Sequence, residues 1–333
     1  MNRFGRHFSV AILGESHGDG VGLVIDGCPA GLPLAVDDFI EDTERRKGGR
    51  QKGTTPRQEE DLPQFLTGHF NGRTTGAPLT LFFPNRNTRS ADYERQRAVP
   101  RPGHADFVAH HKYGGYEDYR GGGHFSGRLT LCLVAAGVVA KRLLAPLHIR
   151  ASIAEIGGTS DVEAGLANAI ARKDSVGGIV ECRVEGLPIG LGEPFFDSVE
   201  SLLAHAAFSI PAVKGVEFGT GFAAARMFGS EHNDAITDMQ GTTATNHAGG
   251  IVGGITNGNE LVWRIAIKPT SSTPKDQYTL NWETGAMETF SVKGRHDLCI
   301  ALRVPPVMEA VTAMVIADLM TAAHKIPRVL AAL

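Results

Sequence analysis

Residues 129–144 read LTLCLVAAGVVAKRLL, apolar almost all the way round until Lys141-Arg142. A surface helix carries one apolar stripe, so a helix apolar on every side must be enclosed by other elements. The uninterrupted apolar run, 129–140, is too short to cross a bilayer, which takes about 20 residues. Its enclosure must therefore be protein. With 333 residues the chain is long enough to provide one, in one large or two medium domains.

The flanking sequence supplies candidate partners. FSVAIL and VGLVIDG read as short strands separated by GESHGDG, and APLTLFF as a third. VDDFIEDTERRKGG predicts a helix opened by acidic residues and stopped by Gly48-Gly49. Residues 50–76 are polar, show little periodicity and read as mobile loop. Past the central segment the rhythm is strand, helix, strand, helix, strand, from HIRASIAEIGG to AVKGVEFGTGFAAAR. Ser160 with Glu163, and Asp197 with Glu200, predict capping boxes where the two helices begin. A glycine-rich loop (240–258), the strand ELVWRIAIKP and a C-terminal helix entered at Pro305-Pro306 follow. The expected class is α/β, with one or two sheets and no long linker.

Just before the central segment, residues 101–128 (RPGHADFVAHHKYGGYEDYRGGGHFSGR) hold seven glycines, four histidines and three arginines. The chain's 41 glycines are about 12% of it, against about 7% ordinarily. They cluster beside Arg, His and Lys, which favours backbone approaching a ligand over mere tight turns. In RGGGHFSGR, consecutive glycines ahead of a helix let backbone N–H groups converge on an anion, with Arg120 and Arg128 completing a phosphate cradle. GESHG sets Ser16 and His17 in a glycine-flanked turn, where an exposed imidazole can donate a proton near neutral pH. RPGHAD offers His104 in a similar setting, with Arg101 and Asp106 as partners. RRKGGRQKGTTPR (45–57) carries six basic residues, either a solvated face or a lid over an anionic substrate. KPTSS (268–272) adds an ammonium and three hydroxyls, and GRHD (294–297) puts Arg295 beside Asp297. These contacts exceed what one phosphate needs. They suit a substrate with several negative charges and a phosphorylated cofactor.

Other classes fit less well. A formal net charge of −3 and 7% aromatic residues speak against a nucleic-acid module. His104, His110 and His111 match no closed ligand spacing and no cysteine assists them, so no metal is expected. Cys28, Cys132, Cys182 and Cys299 form no CxxC pair and have mostly apolar neighbours, as reduced thiols of a cytoplasmic protein would. No signal peptide is visible ahead of FSVAILGES, and no membrane partner is expected.

GESHG, RPGHAD, YRGGGHFSGR, GGITNG, KPTSS and GRHD stand in this order over almost the whole chain. On these six motifs together the sequence resembles the chorismate synthase family. The resemblance implies an α/β fold, a β-α-β sandwich with buried central helices. It implies one domain over 1–333 without a separate reductase domain, usually assembled as a homotetramer. The reaction it implies is loss of phosphate and the C6 proton from 5-enolpyruvylshikimate 3-phosphate in an anti-1,4-elimination, giving chorismate. Reduced FMN is required without net redox change, the flavin lending an electron and recovering it. The reduced flavin would come from an external reductase, with NADPH as a candidate reductant.

Residue roles follow from the motifs. Of His17 and His104, one would keep the flavin suitably protonated and the other the leaving phosphate. Asp297 would work with the flavin in removing the C6 proton. Arg46, Lys52, Arg101 and Arg128 would hold substrate or NADPH. Flavin contacts would come from His124, Phe125 and Ser126, from Pro211 and Ala212, and from Gly253. Lys268, Pro269, Thr270, Ser271 and Ser272, with Arg295, would complete them. His124-Phe125 stands where many members carry Arg-Ser, and Lys52 where an arginine is common. His17, His104 and Asp297 are all present, which favours an enzyme over a flavin-binding relative that has lost catalysis.

Overall fold

The computed structural model describes residues 2–49, 52–55, 59–87, 98–292 and 296–331. Apolar runs separated by tight turns pair here as antiparallel strands. In chain order the first are Arg3–Phe4 (β1), Ser9–Gly14 (β2), Gly20–Asp26 (β3), Gln64–Thr67 (β4), His69–Phe70 (β5), Arg73–Thr74 (β6) and Leu79–Pro84 (β7). Five of them form one sheet in the order β1-β2-β3-β7-β4, while β5 and β6 pair with each other. The segment expected as loop thus contributes three strands. Their own sequence carries little period; β4 is a strand because β7 pairs with it.

The second sheet is built from His148–Ile156 (β8), Gly178–Glu185 (β9), Val213–Phe218 (β10) and Leu261–Ile267 (β13), in the antiparallel order β10-β13-β9-β8. A hairpin of Ile251–Val252 (β11) and Ile255–Thr256 (β12) lies within the expected glycine-rich loop. A second hairpin, Gln277–Leu280 (β14) with Met287–Phe290 (β15), had no clear sequence signal.

Helices are Ile40–Arg46 (α1), Asp106–Tyr113 (α2), Thr130–Leu144 (α3), Val162–Arg172 (α4), Val199–Ala207 (α5), Gly229–His232 (α6) and Pro305–Ala322 (α7). α3 packs on β2 and β3, α7 packs on β8 and β9, and the two helices pack on each other. The layers therefore run sheet, α3, α7, sheet, which is a sandwich with helices inside. The helices cross so closely that a Cβ on Gly137 would lie 2.3 Å from the Cβ of Ala310. One contiguous core joins Phe8 of the first sheet to Trp263 of the second through both helices. α7 is long and apolar enough to cross a membrane by composition, yet most of it is buried in this core.

A polar pin fixes the helices' register. Glu309 on α7, buried, accepts from Arg45 of α1 at 2.8 and 2.6 Å, from Lys141 of α3 at 2.8 Å and from the Ala151 N–H of β8 at 3.0 Å. Two capping expectations shift by one residue. Asp161, not Ser160, caps α4 by accepting from the Ala164 N–H, and Ser198, not Asp197, caps α5 by accepting from the Ser201 N–H. In each case the side chain adjoining the first helical residue wins, since only it reaches the free N–H groups.

Candidate active site

A cavity of about 860 Å³ opens between the two sheets' loop ends. It is lined by Ser16, by 46–48 after α1, by the RPGHAD turn, by Gly121 and 124–130, by Pro211-Ala212 and by KPTSS. Motifs far apart in sequence are brought to one place. The connection from β2 to β3 carries GESHG, the start of α2 carries RPGHAD, and the approach to α3 carries RGGGHFSGR.

The triple glycine has a specific cause. Gly121, Gly122 and Gly123 all take positive φ, at 61°, 81° and 51°. A Cβ on Gly121 would sit 2.2 Å from the His17 ring, and one on Gly122 would sit 3.2 Å from the His104 ring. Two imidazoles thus press on adjacent glycines. His17 is 8% exposed and lies behind Gly121 rather than among the lining residues, which corrects the expectation of an exposed imidazole. Arg120 turns away from the expected cradle to pair with Asp118 at 2.8 Å.

His104 Nδ1 lies 2.6 Å from Asp106 Oδ1. Arg101 clasps the same carboxylate through Nε at 2.7 Å and Nη2 at 2.8 Å. A carboxylate only accepts, so Nδ1 carries the proton and Nε2 is the nitrogen left for chemistry. Arg101 Nη2 also lies 3.0 Å from Nδ1, a contact of two donors that both serve Asp106. Burial pushes the Asp106 carboxyl up, but its bonds from Arg101 and His104 pull it well below the usual range. Arg101, placed among ligand contacts by resemblance, is here occupied in holding the histidine turn.

KPTSS does similar work from the other side. Lys268 Nζ donates to Ser271 Oγ at 3.1 Å and to the Gly103 carbonyl, to which Ser271 Oγ also donates at 2.8 Å. Burial, with Lys214 nearby, lowers the Lys268 ammonium's pKa. Ser272 Oγ accepts from Arg101 Nη1 at 3.2 Å. Thr270 lines the cavity with its buried hydroxyl free of partners among the described residues. Pro269 is exposed and does not line it. Ala212 lines it in the left-handed region, φ 74°, with its carbonyl accepting from the Lys268 N–H at 2.9 Å.

The cationic part of the wall holds Arg46, Arg128 and Arg303. Arg128 donates through Nε to Asn85 at 3.1 Å and through Nη1 to Asp61, and its buried Nη2 has no partner among the described residues. Arg46 is 2% exposed and its Nε is likewise without a partner. Burial first, then the guanidiniums of Arg303 and Arg128, push Arg46 down to about 9. This is a cation short of an anion. Burial pushes the Asp61 carboxyl up, while Arg46 and Arg128 bring it down further.

Asp297 lines the cavity with both oxygens engaged. Oδ1 accepts from the Thr55 N–H at 2.8 Å and Oδ2 accepts from Arg303 at 2.8 Å. His124 donates from Nδ1 to the Gly14 carbonyl at 2.8 Å, while Phe125 and Ser126 line the wall beside it. Two expected residues stand elsewhere, and a third is not described. Gly253 is the exposed turn of the β11–β12 hairpin, Lys52 is exposed and outside the lining, and Arg295 lies outside the described residues. So do residues 50, 51, 56 and 57 of the expected lid.

Sequence reading missed Asp61, Asn85 and Arg303. None belongs to a glycine-rich motif. The usable signal was charge balance, because a buried Arg128 requires an acid such as the one in EEDLP.

The family described as chorismate synthase matches residues 8–321. A chorismate synthase of Chitinophaga pinensis is 69% identical over 330 residues, covering 99% of both chains. One from Dehalococcoides mccartyi is 46% identical over 360 residues, again with 99% of each chain covered. A solved structure titled as the crystal structure of chorismate synthase superposes with a TM-score of 0.74 at 25% identity, covering 96% of this chain and 93% of that one.

Proposed function

The chain belongs to the chorismate synthase family, and we infer that it converts 5-enolpyruvylshikimate 3-phosphate to chorismate. The C6–H bond breaks and its electron pair forms a new ring double bond, the existing ring double bond shifts toward C3, and the C3–O pair departs with phosphate, leaving a conjugated diene, phosphate and a proton. The observation that carries this reading is the pairing of two imidazoles, set beside adjacent glycines, with two buried guanidiniums that each keep one nitrogen without a partner among the described residues. Proton handling and anion binding are thus built into one cavity.

The residues fit a substrate with two carboxylates and a phosphate beside a phosphorylated flavin. At about 860 Å³ the cavity lies toward the top of the range of about 300–1,000 Å³ for small-ligand sites. Its polar groups without partners among the described residues, Arg46 Nε, Arg128 Nη2 and the Thr270 hydroxyl, are the hydrogen-bond donors that oxyanions require. Ile210, Pro211 and Phe125 offer apolar surface for a ring system. Reduced FMN, when bound, supplies an electron that is lent to the substrate and returned, so that no net oxidation occurs.

The chain's own groups do the rest. Arg46 and Arg128 bind the substrate's anionic groups and hold C3 and C6 in place. His104, its Nδ1–H fixed on Asp106, presents Nε2 to hold or release a proton, and Arg101 with Ser272 keeps that turn rigid. His17 holds a proton behind the Gly121 backbone. Asp297, held at the cavity wall by the Thr55 N–H and Arg303, works with the flavin in removing the C6 proton. The reading also includes a separate reductase as the source of reduced flavin, NADPH as reductant, a cytoplasmic setting and assembly as a homotetramer.

The test is anaerobic incubation with the substrate and photoreduced FMN, against oxidised FMN and no flavin. Chorismate in many turnovers with reduced FMN alone is expected. Tight binding of substrate and flavin without chorismate would instead indicate a relative that has lost catalysis.

A further inference from the structure

Strand register brings Asn85 to the junction of the two halves of the site. β3 and β7 pair from Ile25↔Leu79 through to Gly20↔Pro84. The residue after β7 therefore lies against the turn that joins β2 to β3, which is GESHG. The Asn85 carboxamide is used at both ends. Its Nδ2 donates toward the carbonyl oxygens of Glu15 at 3.0 Å, Ser16 at 3.2 Å and Gly18 at 2.9 Å. Its Oδ1 accepts from Arg128 Nε at 3.1 Å. Three carbonyls on one side and an N–H on the other admit only one orientation of the amide. The Asn85 backbone N–H adds a bond to the Asp19 carbonyl at 3.0 Å, closing the turn.

We propose that Asn85 is a positioning residue for the elimination, fixing the His17 turn relative to the free Nη2 of Arg128 so that proton handling and anion binding share one frame. The inference rests on the reading of the site as a chorismate synthase centre. Its basis is that one short side chain touches both halves. Asn85 holds Nε of Arg128 and Asp61 holds Nη1, so among the described residues Nη2 is the nitrogen left for a ligand. Asn85 also gathers the carbonyls on either side of His17, and that ring in turn presses on Gly121. Without the Asn85 carboxamide the guanidinium and the imidazole would be free to move independently of each other.

Asn85→Asp separates the two functions. The carboxylate still accepts from Arg128, but it turns a second oxygen on three carbonyl oxygens and displaces the His17 turn. Its substrate Kd, measured by calorimetry, should stay within about threefold of the parent while kcat falls on the order of 10²-fold, as a misplacement of about 1 Å costs. Asn85→Ser reaches neither side, so Kd should also rise, by about tenfold or more for a lost charge-assisted bond. In both variants the ring signal of His17, followed by NMR of 13C-labelled histidine at one fixed pH, should move. Parent-like kcat, Kd and His17 signal would overturn the proposal, as would variants changed only in melting temperature. If the parent itself makes no chorismate, the reading of the site fails, and Asn85 is then judged on the His17 signal alone.

Discussion

Asp106 Oδ1 stands 2.6 Å from His104 Nδ1, and this contact decides which imidazole nitrogen meets the cavity. The carboxylate does so from a position locked by Arg101, whose guanidinium reaches it through two nitrogens. Asp106→Asn keeps the shape but lets the amide donate as well as accept, so the Nδ1–H tautomer is no longer enforced. Expected is a kcat loss on the order of 10²-fold with KM little changed, the size of a misplaced acid–base group. Nitrogen NMR of the His104 ring should show mixed tautomers. An unchanged tautomer with full kcat would remove Asp106 from the mechanism.

Gly121 leaves no room for a side chain beside the His17 ring. Gly121→Ala must place a Cβ at 2.2 Å from the ring while holding φ at 61°. The left-handed backbone alone costs roughly 1–2 kcal/mol, and overpacking a further ~1–3 kcal/mol. Calorimetric melting should fall clearly, and His17 should be displaced with loss of turnover. Gly127→Ala meets nothing within 4 Å and serves as the control, with a stability change within about 0.5 kcal/mol. Equal melting temperatures for the two variants would contradict this geometry.

Arg46 trades stability for binding. Its guanidinium is buried beside two others with one nitrogen unpartnered. Arg46→Met should leave the ligand-free protein as stable or raise its melting temperature, by about 2–4 °C for each kcal/mol recovered. Inorganic phosphate should raise the parent's melting temperature by mass action and raise that of the variant much less. A large loss of stability in the ligand-free variant would show that Arg46 is already satisfied.

Acid should act through three buried carboxylates. For Asp61, Asp106 and Glu309, burial pushes the carboxyl up, but the cations against each bring it below the ordinary range. Each therefore binds its proton more weakly folded than unfolded. The stability they contribute is complete above about pH 5 and drains away as pH falls below it. Urea midpoints should be flat from pH 7 to about 5 and then drop, with the drop shallower in Glu309→Gln, which starts from a lower plateau. A midpoint that rises on acidification would contradict the assignment.

The central helix and the motif loops were legible because their signals are local. α3 is apolar on every face within one peptide, and RGGG, GESHG and KPTSS each pack their chemistry into five or so residues. What escaped depends on distant partners. β4 exists through β7, and His17 is buried because Gly121 covers it from another loop. Asn85 and Asp61 look like ordinary loop residues until Arg128 arrives from the start of α3. In KPTSS, Lys268, Ser271 and Ser272 line the cavity and also brace the RPGHAD turn, a contact that the motif alone does not reveal. Likewise Gly253 stands at a hairpin turn away from the cavity of the single chain.

The most direct measurement is the stoichiometry of one anaerobic reaction followed to completion. Purified protein, excess 5-enolpyruvylshikimate 3-phosphate and a small amount of photoreduced FMN would be mixed, with chorismate, phosphate and the flavin spectrum all recorded. Elimination at this site predicts chorismate and phosphate in equal amounts, many per flavin, with the flavin reduced at the end. Phosphate released without chorismate, or one chorismate per flavin with the flavin left oxidised, would contradict it.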